Sequence, residues 1–323
     1  MAPIVETSKL VRHYDLGGLF GHHQKVVHAV DGVDLQIPEG EIFALVGESG
    51  CGKTTFGRML VGLTSVTSGN VFFEGKELRR CLSQKSVRRQ LQFVFQDPFA
   101  SLNPRKSVGE TLEQPFDVHT TLKGKEVRVE VLNLLQMVGL TPPSIYERRY
   151  PHELSGGQRQ RVAIARAIAL HPRFIVADEP VSQLDVSVRA QILLLLTRLQ
   201  EELRLTYLLI SHDLALVRTV ANHVAIMYLG KILEEGRVDE VFERPTHPYT
   251  KVLLDSTPIP DPRVAKQKQR TILHGDPPSP VDPPSGCRFR TRCPRLSDRC
   301  SSDEPVLVEI GPNHKVACHS GAD

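Results

Sequence analysis

Gly47-Glu48-Ser49-Gly50-Cys51-Gly52-Lys53-Thr54 sets the fold class of this 323-residue chain. The stretch follows the apolar run Glu41 to Val46, which reads as a strand, and opens onto Thr54 to Gly62, which reads as a helix. Its glycines let backbone N–H groups turn inward onto phosphate oxygens, and the new helix adds its positive N-terminal end. In such a loop Lys53 reaches the β- and γ-phosphates of a nucleotide while the Thr54 hydroxyl ligates Mg²⁺. A glycine-rich turn without chemistry is the plain alternative, but it leaves the strand, the Lys-Thr ending and the helix unexplained together. Gly47, Ser49, Gly50, Cys51, Gly52, Lys53, Thr54 and Thr55 are therefore candidate nucleotide contacts.

The alternation continues outward. Phe174 to Ala177 precedes Val188 to Leu203, and Tyr207 to Ile210 precedes Leu214 to Val220. Short aliphatic runs followed by longer amphipathic ones predict an α/β fold, a parallel or mixed sheet flanked by helices. Val176-Ala177-Asp178-Glu179 ends one strand with two carboxylates at the C-terminal edge of the sheet, where ligands of such sheets sit. Asp178 suits the metal side, and Glu179 stands where a carboxylate polarises an attacking water. Alone, the pair reads equally well as solvated acids; beside a phosphate loop it reads as part of phosphoryl transfer to water. Between Asp97 and Leu154 the strand signal fades, and Val127, Val131, Leu134, Leu135 and Val138 recur at helical spacing, predicting an inserted helical subdomain.

Composition narrows the class. At 40% hydrophobic content the chain can bury one large core or two modest ones. Lys and Arg total 40 against 37 Asp and Glu, and this near balance argues against a nucleic-acid partner, which needs a concentrated basic face. No run approaches the roughly 18 apolar residues of a membrane span; the densest, Ile192 to Leu196, is far shorter. The opening Met-Ala-Pro-Ile-Val-Glu has no basic segment followed by an apolar core, so a cytoplasmic location is expected, with reduced thiols.

Eight of the 23 prolines fall between Pro258 and Pro284, which disfavours helix and predicts an extended connector. Beyond it, Gly286 to Asp323 holds four of the six cysteines and too few apolar residues for a core of its own. Cys287, Cys293, Cys300 and Cys318 follow C-x5-C-x6-C-x17-C, without the C-x2-C pairs of a zinc ribbon. Four thiolates suit zinc or an iron–sulfur cluster, and spacing does not choose between them. Arg288, Arg290, Arg292, Arg295 and Arg299 surround them; with little but Phe289 for base stacking, a solvated or subunit-facing surface is expected. Cys51, in a phosphate nest beside Lys53, is expected to have a lowered pKa and to report bound nucleotide. Cys81, in a polar stretch, suggests nothing.

Leu154-Ser155-Gly156-Gly157-Gln158 resembles the signature of ATP-binding cassette ATPases. A small polar residue and two glycines opening a helix over Gln158 to Leu170 make a second anion-binding N-terminus, in a chain with one nucleotide loop. In that family two cassettes sandwich two ATPs head to tail, so the resemblance implies that Ser155, Gly157 and Gln158 complete the opposite subunit's site. Gln96 is similar to the residue that senses Mg²⁺ and water, and Ser182-Gln183-Leu184-Asp185 to the loop joining the sites, although Gln183 departs from the usual alanine. His212 is similar to the histidine that contacts the γ-phosphate, and Tyr14 to the aromatic that stacks on adenine.

Phe95-Gln96-Asp97-Pro98, Ser101-Leu102-Asn103-Pro104-Arg105, His247-Pro248-Tyr249-Thr250 and the cysteine tail resemble the dipeptide and oligopeptide importer branch. The resemblance implies a P-loop ATPase core with an antiparallel β subdomain over 1–96 and 156–256, a helical signature subdomain over 97–155, a linker over 257–286 and a cysteine-rich tail over 287–323. It implies Glu179, His212 and Gln96 in catalysis, Mg²⁺ held by Thr54, Gln96 and Asp178, Asp185 among the ATP contacts, and a [4Fe–4S] cluster on the four tail cysteines, with zinc as the alternative. Expected partners are a second cassette ATPase, identical or homologous, two transmembrane permease subunits and an extracytoplasmic substrate-binding protein, with this chain peripheral on the cytoplasmic face of the membrane. Peptides are the expected cargo; nickel and oligosaccharide importers share these marks. The rival from another class is a soluble cassette ATPase acting on ribosomes or nucleic acid, whose usual second cassette or coiled-coil insertion is not found in this sequence.

Overall fold

The computed structural model describes residues 3–17, 25–256 and 275–320. The chain opens with an antiparallel sheet: β1 (Pro3–Asp15) pairs with β2 (Val26–Pro38) on one side and with β4 (Ser68–Phe73) on the other, and β5 (Lys76–Glu77) extends β4. Between them runs β3 (Ile42–Val46), the central strand of a second, mixed sheet. Here β6 (Leu91–Val94), β7 (Phe174–Asp178), β8 (Thr206–Ser211), β3 and β9 (His223–Tyr228) are parallel. Every residue of β3, β7 and β8 is buried, as expected of parallel strands covered on both faces, and this is why they read as unbroken apolar runs.

Between β6 and β7 the chain is helical. Ser107 caps helix Val108–His119 in a reciprocal box with Glu110, and helix Lys125–Met137 turns Val127, Val131, Leu134 and Leu135 inward. These side chains share one apolar cluster with Val162 and Ile168 of helix Gly156–Ile168 and with Ile175 and Ala177 of β7, so the insert packs on the catalytic core. Among the described residues no helix is long and apolar enough to cross a membrane. The first part of the proline-rich connector, 257–274, lies outside the described residues.

The cysteine tail meets the expectation that it builds no core of its own by joining an existing one. Antiparallel strands extend the main sheet: β10 (Lys231–Arg237) on β9, then β12 (His314–Val316), then β11 (Val308–Gly311). Phe289 is fully buried, its ring 5.4 Å from Tyr228, 5.3 Å from Tyr249 and 5.5 Å from His247. Of the arginines expected on the surface, Arg288 is instead buried and Arg292 has a side chain only 8% exposed. Arg288 pairs with Asp31 and donates to the Leu229 carbonyl, and Arg292 pairs with Glu48, because docking of Phe289 carries its neighbours into the core where only a carboxylate makes their charge tolerable. Cys81, silent in the sequence, is packed in the core beneath the antiparallel sheet.

One buried carboxylate ties these parts together. Glu234 has no exposure and accepts from the N–H groups of Thr246 and His247, at 2.8 and 3.0 Å, while His314 Nε2 lies 2.8 Å away. His247 in turn caps helix Pro248–Asp255, its Nδ1 accepting from the Tyr249 N–H at 3.0 Å, which requires an unprotonated nitrogen. Burial holds its pKa down to about 4 against an ordinary 6.5, despite the nearby Glu234 charge. In that window the unfolded chain takes a proton that the folded chain refuses, so stability is full above pH 6.5 and falls as pH drops toward 4. The loss should total up to about 3 kcal/mol. His247→Asn keeps a capping oxygen without titrating, so the denaturation midpoint of this variant should depend less on pH across that window; an unchanged slope would refute the assignment.

Candidate active site

Close backbone approach builds the phosphate loop. Gly52 adopts φ 109°, and a Cβ there would fall 2.0 Å from the Ala29 carbonyl oxygen, while one on Gly47 would fall 2.1 Å from that of Met227. The loop therefore lies directly on β2 and β9, fastened by the Gly230 N–H donating to the Cys51 carbonyl at 2.9 Å. Helix Lys53–Leu60 starts from it. The Lys53 ammonium, almost fully buried, donates to the Gly47 and Glu48 carbonyls at 2.8 Å each.

Ser49, Gly50, Gly52, Lys53, Thr54 and Thr55 line one side of a cleft of about 620 Å³. Tyr14, Gln96, Glu179 and His212 line the rest, with Val27, Ala29 and Pro280. A cleft of this size is adequate for a nucleotide. Tyr14 carries the Arg12 guanidinium 4.3 Å above its ring.

The end of β7 supplies the acids. Thr54 donates its hydroxyl to Asp178 at 3.0 Å, and burial lifts the Asp178 carboxyl above the usual range, opposed by that hydrogen bond and reinforced by the Glu179 charge. Two oxygens from two elements, one a buried carboxylate, fit a hard cation such as Mg²⁺. Glu179 follows with φ 44°, a left-handed conformation costing on the order of 1 kcal/mol for a non-glycine residue. The turn is held by the Glu179 N–H donating to the Ile210 carbonyl at 3.0 Å. Both carboxylate oxygens are occupied: Gln96 Nε2 donates to Oε2 at 3.0 Å, and His212 Nδ1 lies 3.1 Å from Oε1. Two residues, each following a different strand, thus converge on the carboxylate at the end of a third, at the cleft wall.

Ser155, Gly157, Gln158 and Asp185 are not brought to this cleft. Ser155 is exposed and caps helix Gly156–Ile168 in a reciprocal box with Gln158. Asp185 caps helix Val186–Leu203, accepting from the Val188 N–H at 3.0 Å. The two caps adjoin, since a Cβ on Gly157 would fall 2.5 Å from the Val188 side chain. Gly47 and Cys51 lie behind the loop, away from the cleft lining. The expected lowering of the Cys51 pKa is overturned: the thiol is buried against the core, and desolvation pushes it up despite Lys53 nearby.

In the tail, burial and repulsion from Cys300, Cys293 and Cys318 push the Cys287 thiol up to about 11, so the four sulfurs share one neighbourhood. Among the described residues no three of them lie within 4.8 Å of one another, wider than the sulfurs of a tetrahedral zinc with Zn–S bonds of about 2.3 Å. His13, His28 and Asp31 do converge that closely, but Asp31 is already paired with Arg288 and faces Lys231, a positive surround that disfavours a cation.

Sequence reasoning missed Glu48, at a position the loop pattern leaves free, and Pro280, whose carbonyl accepts from the His28 N–H at 2.9 Å at the cleft rim. A proline-rich connector gave no sign of reaching this far.

Comparison with known proteins agrees with this geometry. The ABC transporter family profile matches residues 30–182, and that of the oligopeptide/dipeptide transporter C-terminal region matches 233–300. Curated relatives include the oligopeptide transport ATP-binding proteins AppF of Bacillus subtilis and OppF of Escherichia coli. Each is 46% identical over 98% of this chain, covering 97% and 95% of their own lengths. The dipeptide transport ATP-binding protein DppF of Haemophilus influenzae is also 46% identical, over 98% of this chain and 96% of its own. Among solved structures, the dimeric ATP-binding cassette MJ0796 bound to ADP and Pi superposes with a TM-score of 0.64 at 30% identity, covering 72% of this chain and 98% of that one. CbiO1 of Clostridium perfringens, part of an ABC transporter complex, gives 0.65 at 29%, covering 76% and 92%. This chain belongs to the ABC transporter ATP-binding proteins, in the group that carries the oligopeptide/dipeptide transporter C-terminal region.

Proposed function

We propose that this chain hydrolyses ATP to power the import of peptides through a membrane ABC transporter. The observation that carries the reading is the Glu179 carboxylate, fixed between Gln96 and His212 on the wall of the phosphate-loop cleft. ATP lies with its phosphates along Ser49 to Thr55 and its adenine toward Tyr14. Thr54, Asp178 and Gln96 would hold Mg²⁺, which would supply neutralisation of phosphate charge. Lys53 balances charge on the β- and γ-phosphates. Glu179 accepts a proton from the attacking water, Gln96 orients that water and His212 contacts the γ-phosphate.

The exposed caps at Ser155 and Asp185 support a composite site, in which each chain completes the cleft of a second, similar cassette; MJ0796 is dimeric. Two permease subunits, an extracytoplasmic substrate-binding protein and attachment to the cytoplasmic face of the membrane follow from the importer reading. The rival, a ribosome- or nucleic-acid-associated ATPase, is disfavoured because near-full-length relatives are named for peptide transport and because Arg288 and Arg292 are spent internally. Cys287, Cys293, Cys300 and Cys318 would hold a [4Fe–4S] cluster, with zinc as the alternative; four neighbouring thiols as a donor set fit either group. Such a group would neutralise mutually repelling thiolates and pin the tail.

Glu179→Gln keeps the shape and loses the base, so single-turnover hydrolysis at this chain's own site should fall at least about 100-fold while ATP affinity holds. Near-wild-type turnover there would reject Glu179 as the base. Ser155→Arg places a bulky cation where the opposite γ-phosphate must dock; it should leave this chain's own ATP affinity unchanged and abolish hydrolysis at the partner's loop, and loss of ATP binding by the isolated chain would contradict the composite site. Anaerobically purified protein should contain iron and sulfide in about equal amounts, and each cysteine-to-serine change should lower both; stoichiometric zinc in their place would overturn the cluster.

A further inference from the structure

A carboxylate is an awkward residue to place in a loop that binds a polyanion. Glu48 occupies the second position of the phosphate loop, and its backbone is fixed at both ends: the Tyr249 hydroxyl accepts from its N–H at 3.0 Å, and Lys53 donates to its carbonyl at 2.8 Å. Free to swing, its negative charge would face the β- and γ-phosphates and oppose their binding. Its side chain is absent from the cleft lining because Arg292 takes both carboxylate oxygens, at 3.1 and 2.9 Å. The Arg292 side chain is only 8% exposed and Glu48 27%, so the pair is little screened by solvent.

Arg292 comes from the cysteine tail, 244 residues away, beside Cys293 and three residues after the buried Phe289. The tail has anchors besides this pair. Phe289 packs on Tyr228, Arg288 pairs with Asp31, and β12 pairs with β10. What the pair adds is at the loop: the tail holds a carboxylate away from the phosphates and cancels its charge.

We propose that Arg292 is a positioning residue for the phosphate loop, gripping Glu48 so that ATP affinity depends on the seating of the cysteine-bearing tail. A change that unseats the tail therefore reaches the ATP site without any residue of the cleft being altered.

This inference rests on the reading of the loop as the ATP site, which ATP binding by the wild-type full-length chain tests separately. The decisive comparison is the KM for ATP and kcat of the complete transporter carrying wild-type, Arg292→Gln, Glu48→Gln or the double variant, with fluorescent ATP-analogue binding to the full-length chain. Arg292→Gln should raise KM about tenfold, the scale on which remote contacts bias a site, with kcat much less affected. Glu48→Gln/Arg292→Gln should recover most of the lost affinity, because the offending charge is gone; a purely structural strut would leave the double variant as impaired as Arg292→Gln. Arg292→Lys, which keeps the charge but not the fork, should fall between, and it replaces Arg292→Gln in the comparison if the latter fails to fold. The exposed Arg295→Gln serves as the control with unchanged KM. The proposal is overturned if ATP binds the wild type but Arg292→Gln leaves KM unaltered, or if removing Glu48 gives no recovery.

Discussion

The structure depends on backbone contacts that leave no room for a side chain where the phosphate loop crosses β2 and β9. At Gly47 and Gly52 a single added carbon would overlap a carbonyl oxygen, so the loop is pressed onto two strands rather than hung between a strand and a helix. That contact fixes the direction of helix Lys53–Leu60, aims Thr54 at Asp178, and brings the wall formed by Gln96, Glu179 and His212 opposite the loop. The fully buried strands β3, β7 and β8 provide the rigid base from which those short distances follow.

Much of this was legible in the sequence because it is local. The phosphate loop, the Asp178-Glu179 strand end and the helical insert are each written within about a dozen residues, and strand ends of a parallel sheet gather at one edge whatever the chain between them does. Glu179 could be placed by that rule, and Gln96 and His212 by their resemblance to the cassette family, but the hydrogen bonds that make Glu179 their common centre could not. Its left-handed backbone carries no sequence signal either.

The misreadings share a cause. Arg288 and Arg292 look like surface charges because their partners, Asp31 and Glu48, are 257 and 244 residues away. Cys51 looks activated when only Lys53 is considered, yet its thiol points into the core, and burial outweighs a neighbouring cation. β11 and β12 are too short and polar to register as strands; they exist because β10 offers an edge to pair with. The tail is thus an integral side of the cassette, sharing an aromatic cluster with the segment that also supports the phosphate loop through Tyr249.

The site is assembled from rigid strand ends, and the exposed helix caps at Ser155 and Asp185 lie outside its cleft, as the proposed composite site requires. The account's central claim is that this chain spends ATP on moving peptides. The most direct measurement is ATP turnover by the complex purified from membranes through a tag on this chain, in lipid, with and without its binding protein loaded with peptide. Two permeases and a second cassette should co-purify, and the peptide-loaded binding protein should stimulate hydrolysis. Turnover by this chain alone that ignores membrane partners and peptide would contradict it.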